Sequence, residues 1–182
     1  MKTREEYLNE LLHGPIAAWL ADAGAIVPED ARVSIGFPGG GSARKRIGEC
    51  WPRSRSSAKV NEIFISPVLG DDLVQTIDVL VHEAIHASDD CASGHKGHFA
   101  RVARRVGLQG KMTSTCAGPA LRAAIEAAIA LRAPYPAGSL TLSGRKVQKT
   151  RMVKHECHEC GAIWRMAAKW EVVSCPVCQA EL

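Results

Sequence analysis

His82-Glu83-Ala84-Ile85-His86 lies inside a run whose apolar positions Leu73, Val74, Ile77, Leu80, Val81, Ala84 and Ile85 recur every three or four residues. That period predicts one amphipathic helix, capped by Asp71 or Asp72 and running to about residue 90. Histidines four apart on a helix share a face, about 6 Å apart along the axis, so both imidazoles can reach one divalent ion. A chain of this composition holds such a run by chance only about 0.02 times, so the pattern asks for a physical cause. Zn2+ suits it, being held by imidazole nitrogen at about 2 Å. A catalytic zinc generally takes three protein ligands and leaves a fourth position for water, which requires another donor downstream. His95, His98, Asp89, Asp90 and Cys91 are the candidates. The last three sit near the helix end, before the chain has turned back. His95 follows the break and lies between Gly94 and Gly97, which permit a tight reversal, and is preferred to His98 on that ground. Glu83 is rotated about 100° from His82 and does not share the ligand sphere. It can still take a proton from water activated by the ion and pass it to a leaving amine. Peptide-bond hydrolysis is the chemistry this predicts.

Cys157, Cys160, Cys175 and Cys178 form two CxxC pairs, the spacing of a structural zinc site in which two knuckles hold one tetrahedral ion. Gly161 suits a knuckle turn, and Ile163, Trp164, Met166 and Trp170 predict a short hairpin between the pairs. His155 and His158 could substitute as ligands, but are expected to face solvent. A tail of about 30 residues buries too little to fold alone, so the ion would supply much of its stability. Disulfides are the competing account. The polar start, with Lys2, Arg4, Glu5 and Glu6, lacks an export signal, and a reducing compartment disfavours them. Cys50, Cys91 and Cys116 have no partner spacing and are expected to be small core or surface residues. Two ions are therefore expected, one catalytic and one structural.

With 46% hydrophobic and 23% charged residues, the chain can bury a core, and pervasive disorder is excluded. No apolar run approaches the roughly 20 residues of a membrane helix, so a soluble, cytoplasmic protein with no membrane contact is expected. The net charge of +4 is too small to argue for nucleic acid by itself. Its distribution says more. Arg44, Lys45, Arg46, Arg53, Arg55 and Lys59 form one basic stretch, and Arg145, Lys146, Lys149, Arg151 and Lys154 form another. Each is either a solvated face or a phosphate contact.

The rest of the chain predicts an α+β domain over 1–132, a linker over 133–150 and the cysteine-rich unit over 151–182. Leu8, Leu11, Leu12, Ile16, Trp19 and Leu20 make a first helix, kinked or split at Gly14 and Pro15. Residues 33–37, 47–51 and 59–66 read as strands of a small antiparallel sheet. Further helices are expected from near Lys96 to Gly107 and from Pro119 to about Arg132, and Pro134, Pro136 and Gly138 mark the linker.

Several of these pieces, taken in order, resemble the SprT-like family of zinc metallopeptidases, which includes the Spartan proteases that digest proteins crosslinked to DNA. They are Gly48-Glu-Cys-Trp51, Asn61-Glu-Ile-Phe-Ile-Ser-Pro67, Val81-His-Glu-Ala-Ile-His-Ala87, Gly94-His-Lys-Gly-His-Phe99 and the paired cysteines. The resemblance implies a zincin-like domain, helices on a small antiparallel sheet, followed by a C-terminal zinc ribbon. It implies His95, four residues before Phe99, as third ligand beside His82 and His86, with Glu83 catalytic. It also implies an edge strand at 59–66 that aligns a protein substrate by strand addition, and DNA contact through the ribbon, to which the second basic stretch is expected to add on the ground of its charge. The chain shows none of Spartan's long recruitment tails, which points to a bacterial or phage setting; association with the nucleoid is a separate expectation that goes with DNA contact. Two other readings stand beside this one: a non-proteolytic DNA-binding or transcription-associated zinc protein, and a general peptidase indifferent to DNA.

Overall fold

A computed structural model describes residues 2–39, 46–141, 152–171 and 173–181. It divides the chain into two units, Met1–Leu142 and Ser143–Leu182. In the first unit, Thr3 caps helix α1 (Arg4–Leu11) in a reciprocal capping box with Glu6. The helix runs through a π-helical turn, Leu12–Ile16, into α2 (Ala17–Asp22). The interruption falls where Pro15 lacks an N–H and Gly14 takes non-helical angles, at the positions expected from sequence. Leu8, Leu11, Leu12, Ile16 and Leu20 are fully buried along one stripe.

Strands β1 (Arg32–Ile35), β2 (Gly48–Trp51) and β3 (Glu62–Ile65) form a sheet in the order β1-β3-β2. β1 runs parallel to β3, with Val33 opposite Ile63, and β2 runs antiparallel to it, with Cys50 opposite Ile63. Two expectations are corrected here. The sheet is mixed rather than antiparallel, and the 59–66 segment supplies its centre rather than its edge. The alternation that marks Ile63 and Ile65 as core residues records which face is buried and says nothing about lateral neighbours. The edge strand beside the histidine helix is β2.

Asp72 accepts a hydrogen bond from the Gln75 N–H and caps α3 (Leu73–Ala87), whose residues Ile77, Leu80, Val81, Ala84 and Ile85 are fully buried. Beyond Ser88 the chain reverses through Asp90 and Cys91, both at positive φ, and enters α4 (Gly97–Val106), which stops at left-handed Gly107. A hairpin not expected from sequence follows, β4 (Leu108–Lys111) with β5 (Ser114–Ala117). Helix α5 (Pro119–Ala130) then packs on α3 through Leu121 and Ile125.

In the second unit, β6 (Met152–Glu156) pairs antiparallel with β7 (Ile163–Ala167). The hairpin therefore brackets the Cys157–Cys160 knuckle instead of lying between the two cysteine pairs, which corrects its predicted place. No helix among the described residues is long and apolar enough to cross a membrane.

Candidate metal centre

Helix α3 sets His82 and His86 one turn apart, with ring centroids separated by 5.2 Å. The reversal after α3 brings in the third ring. His95 Nε2 lies 3.3 Å from His82 Nε2 and 3.3 Å from His86 Nε2. Imidazole nitrogens about 2.05 Å from a common tetrahedral ion stand about 3.3 Å apart, so the three donors have the separation a zinc ion requires. Phe99, fully buried on α4, supports all three rings at centroid distances of 4.8, 4.4 and 5.1 Å.

Burial, reinforced by the neighbouring imidazoles, pushes the His82 pKa down to about 3 and that of His86 to about 4. His95 is also lowered by burial. All three rings are thus neutral at neutral pH, the state in which imidazole can ligate. His82 Nδ1 lies 2.8 Å from Thr115 Oγ1 on β5. A proton on Nδ1 donated to that hydroxyl leaves Nε2 as the free donor aimed at the cluster.

The competing candidates do not join the cluster of ligand atoms formed by the three histidines. His98 Nε2 lies 3.0 Å from Ser88 Oγ, and its Nδ1 accepts from Arg101. Asp89 accepts from the Ser93 N–H. Asp90 Oδ1 accepts from the Arg53 N–H at 2.7 Å and from Asn61 Nδ2 at 2.8 Å, tying the turn to the sheet. Cys91 faces Cys50.

Glu83 is 7% exposed and lines the same cavity, of about 640 Å³, as the three histidines, Arg46 and Cys50. Burial and the charge of Glu49 raise its pKa to about 8, against the lowering influence of the Cys50 backbone N–H and the Arg46 guanidinium. A cation beside it would oppose that rise. β2 can lie this close to α3 only because residue 48 is glycine. A Cβ there would stand 2.5 Å from Val79 Cγ1 and 2.6 Å from Glu83 Oε1. Tyr7 and Tyr135 pack edge to face on each other at 5.2 Å, and neither lines the cavity.

In the second unit the four cysteines form another cluster that could hold a metal ion. Cys157 and Cys178 sulfurs lie 3.6 Å apart, and those of Cys160 and Cys175 lie 3.7 Å apart. Tetrahedral thiolates at about 2.3 Å from zinc would stand about 3.75 Å apart. The two turns match: the Gly161 N–H donates to the Cys157 carbonyl and the Gln179 N–H to that of Cys175, with both residues 161 and 179 at positive φ. His155 stacks on Trp164 and His158 is exposed, so neither joins the cluster.

Of the basic stretches, Arg44, Lys45, Arg145, Lys146, Lys149 and Arg151 lie outside the described residues. Lys154 pairs with Glu156 at 3.0 Å and Arg53 with Asp30. Sequence reasoning missed Thr115, the Asp90 clamp and the pairing of Cys50 with Cys91, since each is made by residues distant in the chain. Comparison of the chain with protein-family models, curated proteins and solved structures finds no match.

Proposed function

We propose that this chain is a zinc-dependent endopeptidase of SprT-like type, with His82, His86 and His95 holding the catalytic ion and Glu83 acting as general base. The observation that carries this reading is the convergence of three neutral imidazole nitrogens at zinc-compatible spacing beside one buried carboxylate, in an open cavity walled by an edge strand. Zinc, when bound, would supply Lewis acidity toward a scissile carbonyl and a water acidified to about neutral pKa. The chain's own residues do the rest. Glu83 takes a proton on its carboxylate and returns it to the departing amine, and its dry surroundings keep its basicity near working pH. β2 offers backbone groups to an extended substrate, which makes Gly48–Trp51 the proposed docking strand in place of 59–66. The Cys157, Cys160, Cys175 and Cys178 cluster holds a structural zinc.

A protein substrate associated with or crosslinked to DNA is the proposed target. Its support lies in the run from Arg145 to Lys154 and in the ribbon that follows. Zinc-loaded protein is expected to cut casein or itself faster when single-stranded DNA is added, and Glu83→Gln to lose about 100-fold or more of that rate with zinc content unchanged. Salt-sensitive DNA binding without cleavage would favour the non-proteolytic zinc protein. Cleavage untouched by neutralising Arg145, Lys146, Lys149, Arg151 and Lys154 would favour a general peptidase.

A further inference from the structure

Cys50, on the edge strand β2, and Cys91, in the reversal after α3, are 41 positions apart in sequence, yet their sulfurs lie 3.5 Å from each other. Both are half-buried and line the cavity that holds the three histidines and Glu83. Neither belongs to the cysteine cluster of the second unit, and the remaining thiol, Cys116, is exposed on β5. The pair is held in place from both sides. Asp90 anchors the turn to the Arg53 N–H and to the Asn61 amide, while β2 is fixed by its ladder with β3.

We propose that Cys50 and Cys91 are an oxidation site, forming a reversible disulfide in the wall of the cavity when the chain meets a hydroperoxide. Cys91, as its thiolate, attacks a peroxide oxygen; the O–O bond breaks, the departing oxygen takes up a proton, and a sulfenic acid and water or an alcohol result. The second thiol then attacks that sulfur, the S–S bond forms, the S–O bond breaks and water leaves. The two sulfurs together lose two electrons and two protons, and the peroxide gains them.

The bond brings the sulfurs from contact to about 2.05 Å, drawing the strand and the turn together by as much as about 1.5 Å. Both backbones matter to the site. The Cys50 N–H lies close enough to the Glu83 carboxylate to exert a lowering pull on its pKa, and the Cys91 N–H donates to the His86 carbonyl at 2.8 Å. Oxidation therefore pulls on the peptide that orients the base and on the one that ends the ligand helix, and it stiffens the strand offered to substrate. The effect on cleavage rests on the peptidase reading above, while the bond itself does not.

The test treats the zinc-loaded full chain with hydrogen peroxide, alkylates free thiols, maps the peptides and measures both zinc release and casein cleavage. The expected result is a Cys50–Cys91 crosslink, and cleavage lowered by roughly 100-fold, the cost of an ångström-scale misplacement. Dithiothreitol is expected to reverse both. Cys91→Ser, compared with its own untreated rate, is expected to cleave equally before and after peroxide. Recovery of Cys50 and Cys91 alkylated after peroxide treatment would overturn the proposal, as would equal inhibition of Cys91→Ser. A crosslinked chain that cleaves nothing in either state would keep the oxidation site and remove the peptidase.

Discussion

Single atoms decide how well the histidine cluster works. The contact of Thr115 Oγ1 with His82 Nδ1 fixes both the tautomer and the tilt of a ligand ring. Thr115→Val keeps the shape and removes the hydroxyl, and is expected to weaken zinc affinity about 10- to 100-fold, read by competition with a colorimetric chelator. Gly48 is the second such position. Gly48→Ala forces a methyl against Val79 and Glu83, so it is expected to cost about 1–3 kcal/mol in urea unfolding and to lower kcat while zinc stays bound. Protonation follows the same burial. In metal-free protein the histidines have folded pKa values below their unfolded 6.5, so they contribute stability that is full above 6.5 and lost as pH falls towards about 4 and 3. Glu83 acts in the opposite sense. Its pKa of about 8 exceeds the unfolded 4.5, so its contribution is full below 4.5 and lost as pH rises through 8. The histidines outnumber the carboxylate, so urea titrations in chelator are expected to show greatest stability near pH 6.5, with the alkaline decline removed in Glu83→Gln.

At the scale of elements, the turn between α3 and α4 controls the third ligand. Asp90 holds that turn to the sheet, and its Oδ1 is the acceptor for the buried Asn61 amide. Asp90→Ala leaves the Asn61 amide only its 3.4 Å bond to the Trp51 carbonyl and is expected to cost about 1–3 kcal/mol and to speed zinc loss, whereas Asp90→Asn keeps the same acceptor and is expected to cost less. Helices were readable in the sequence because their apolar spacing is long and regular. The α3 stripe, the break at Gly14 and Pro15, and the stop at Gly107 all carry local signals, whereas α3 ends at Ala87, short of the expected residue 90. The hairpin of β4 and β5 carries none: its polar run from Gln109 to Thr115 buries only Leu108 strongly, so no alternation marks it. Sheet order escaped for a related reason. Ile63 and Ile65 look alike in a central strand and in an edge strand, and the identity of β3's neighbours lies in contacts made across the fold.

For the whole molecule, the two units have different sources of stability. Residues 1–142 bury a continuous core, from Leu8 and Ile16 through Ile63, Ile77 and Ile85 to Phe99 and Ile125. The second unit buries Cys157 and Cys175 but exposes Trp170, Val173 and Val177. Removing metal is therefore expected to unfold the second unit and leave the first folded, visible as loss of dispersed amide signals confined to residues after 142. The ligand set was readable from sequence to the same degree. HExxH and the two CxxC pairs fix seven donors or neighbours by spacing alone, while His95 needed the geometry of a turn to separate it from His98. The central claim is that three imidazoles share one ion. Native mass spectrometry of the zinc-loaded chain tests it most directly, with wild type beside His95→Ala and His98→Ala. Two zinc ions are expected for wild type and for His98→Ala, and one for His95→Ala; a His95→Ala chain that still carries both would contradict the account.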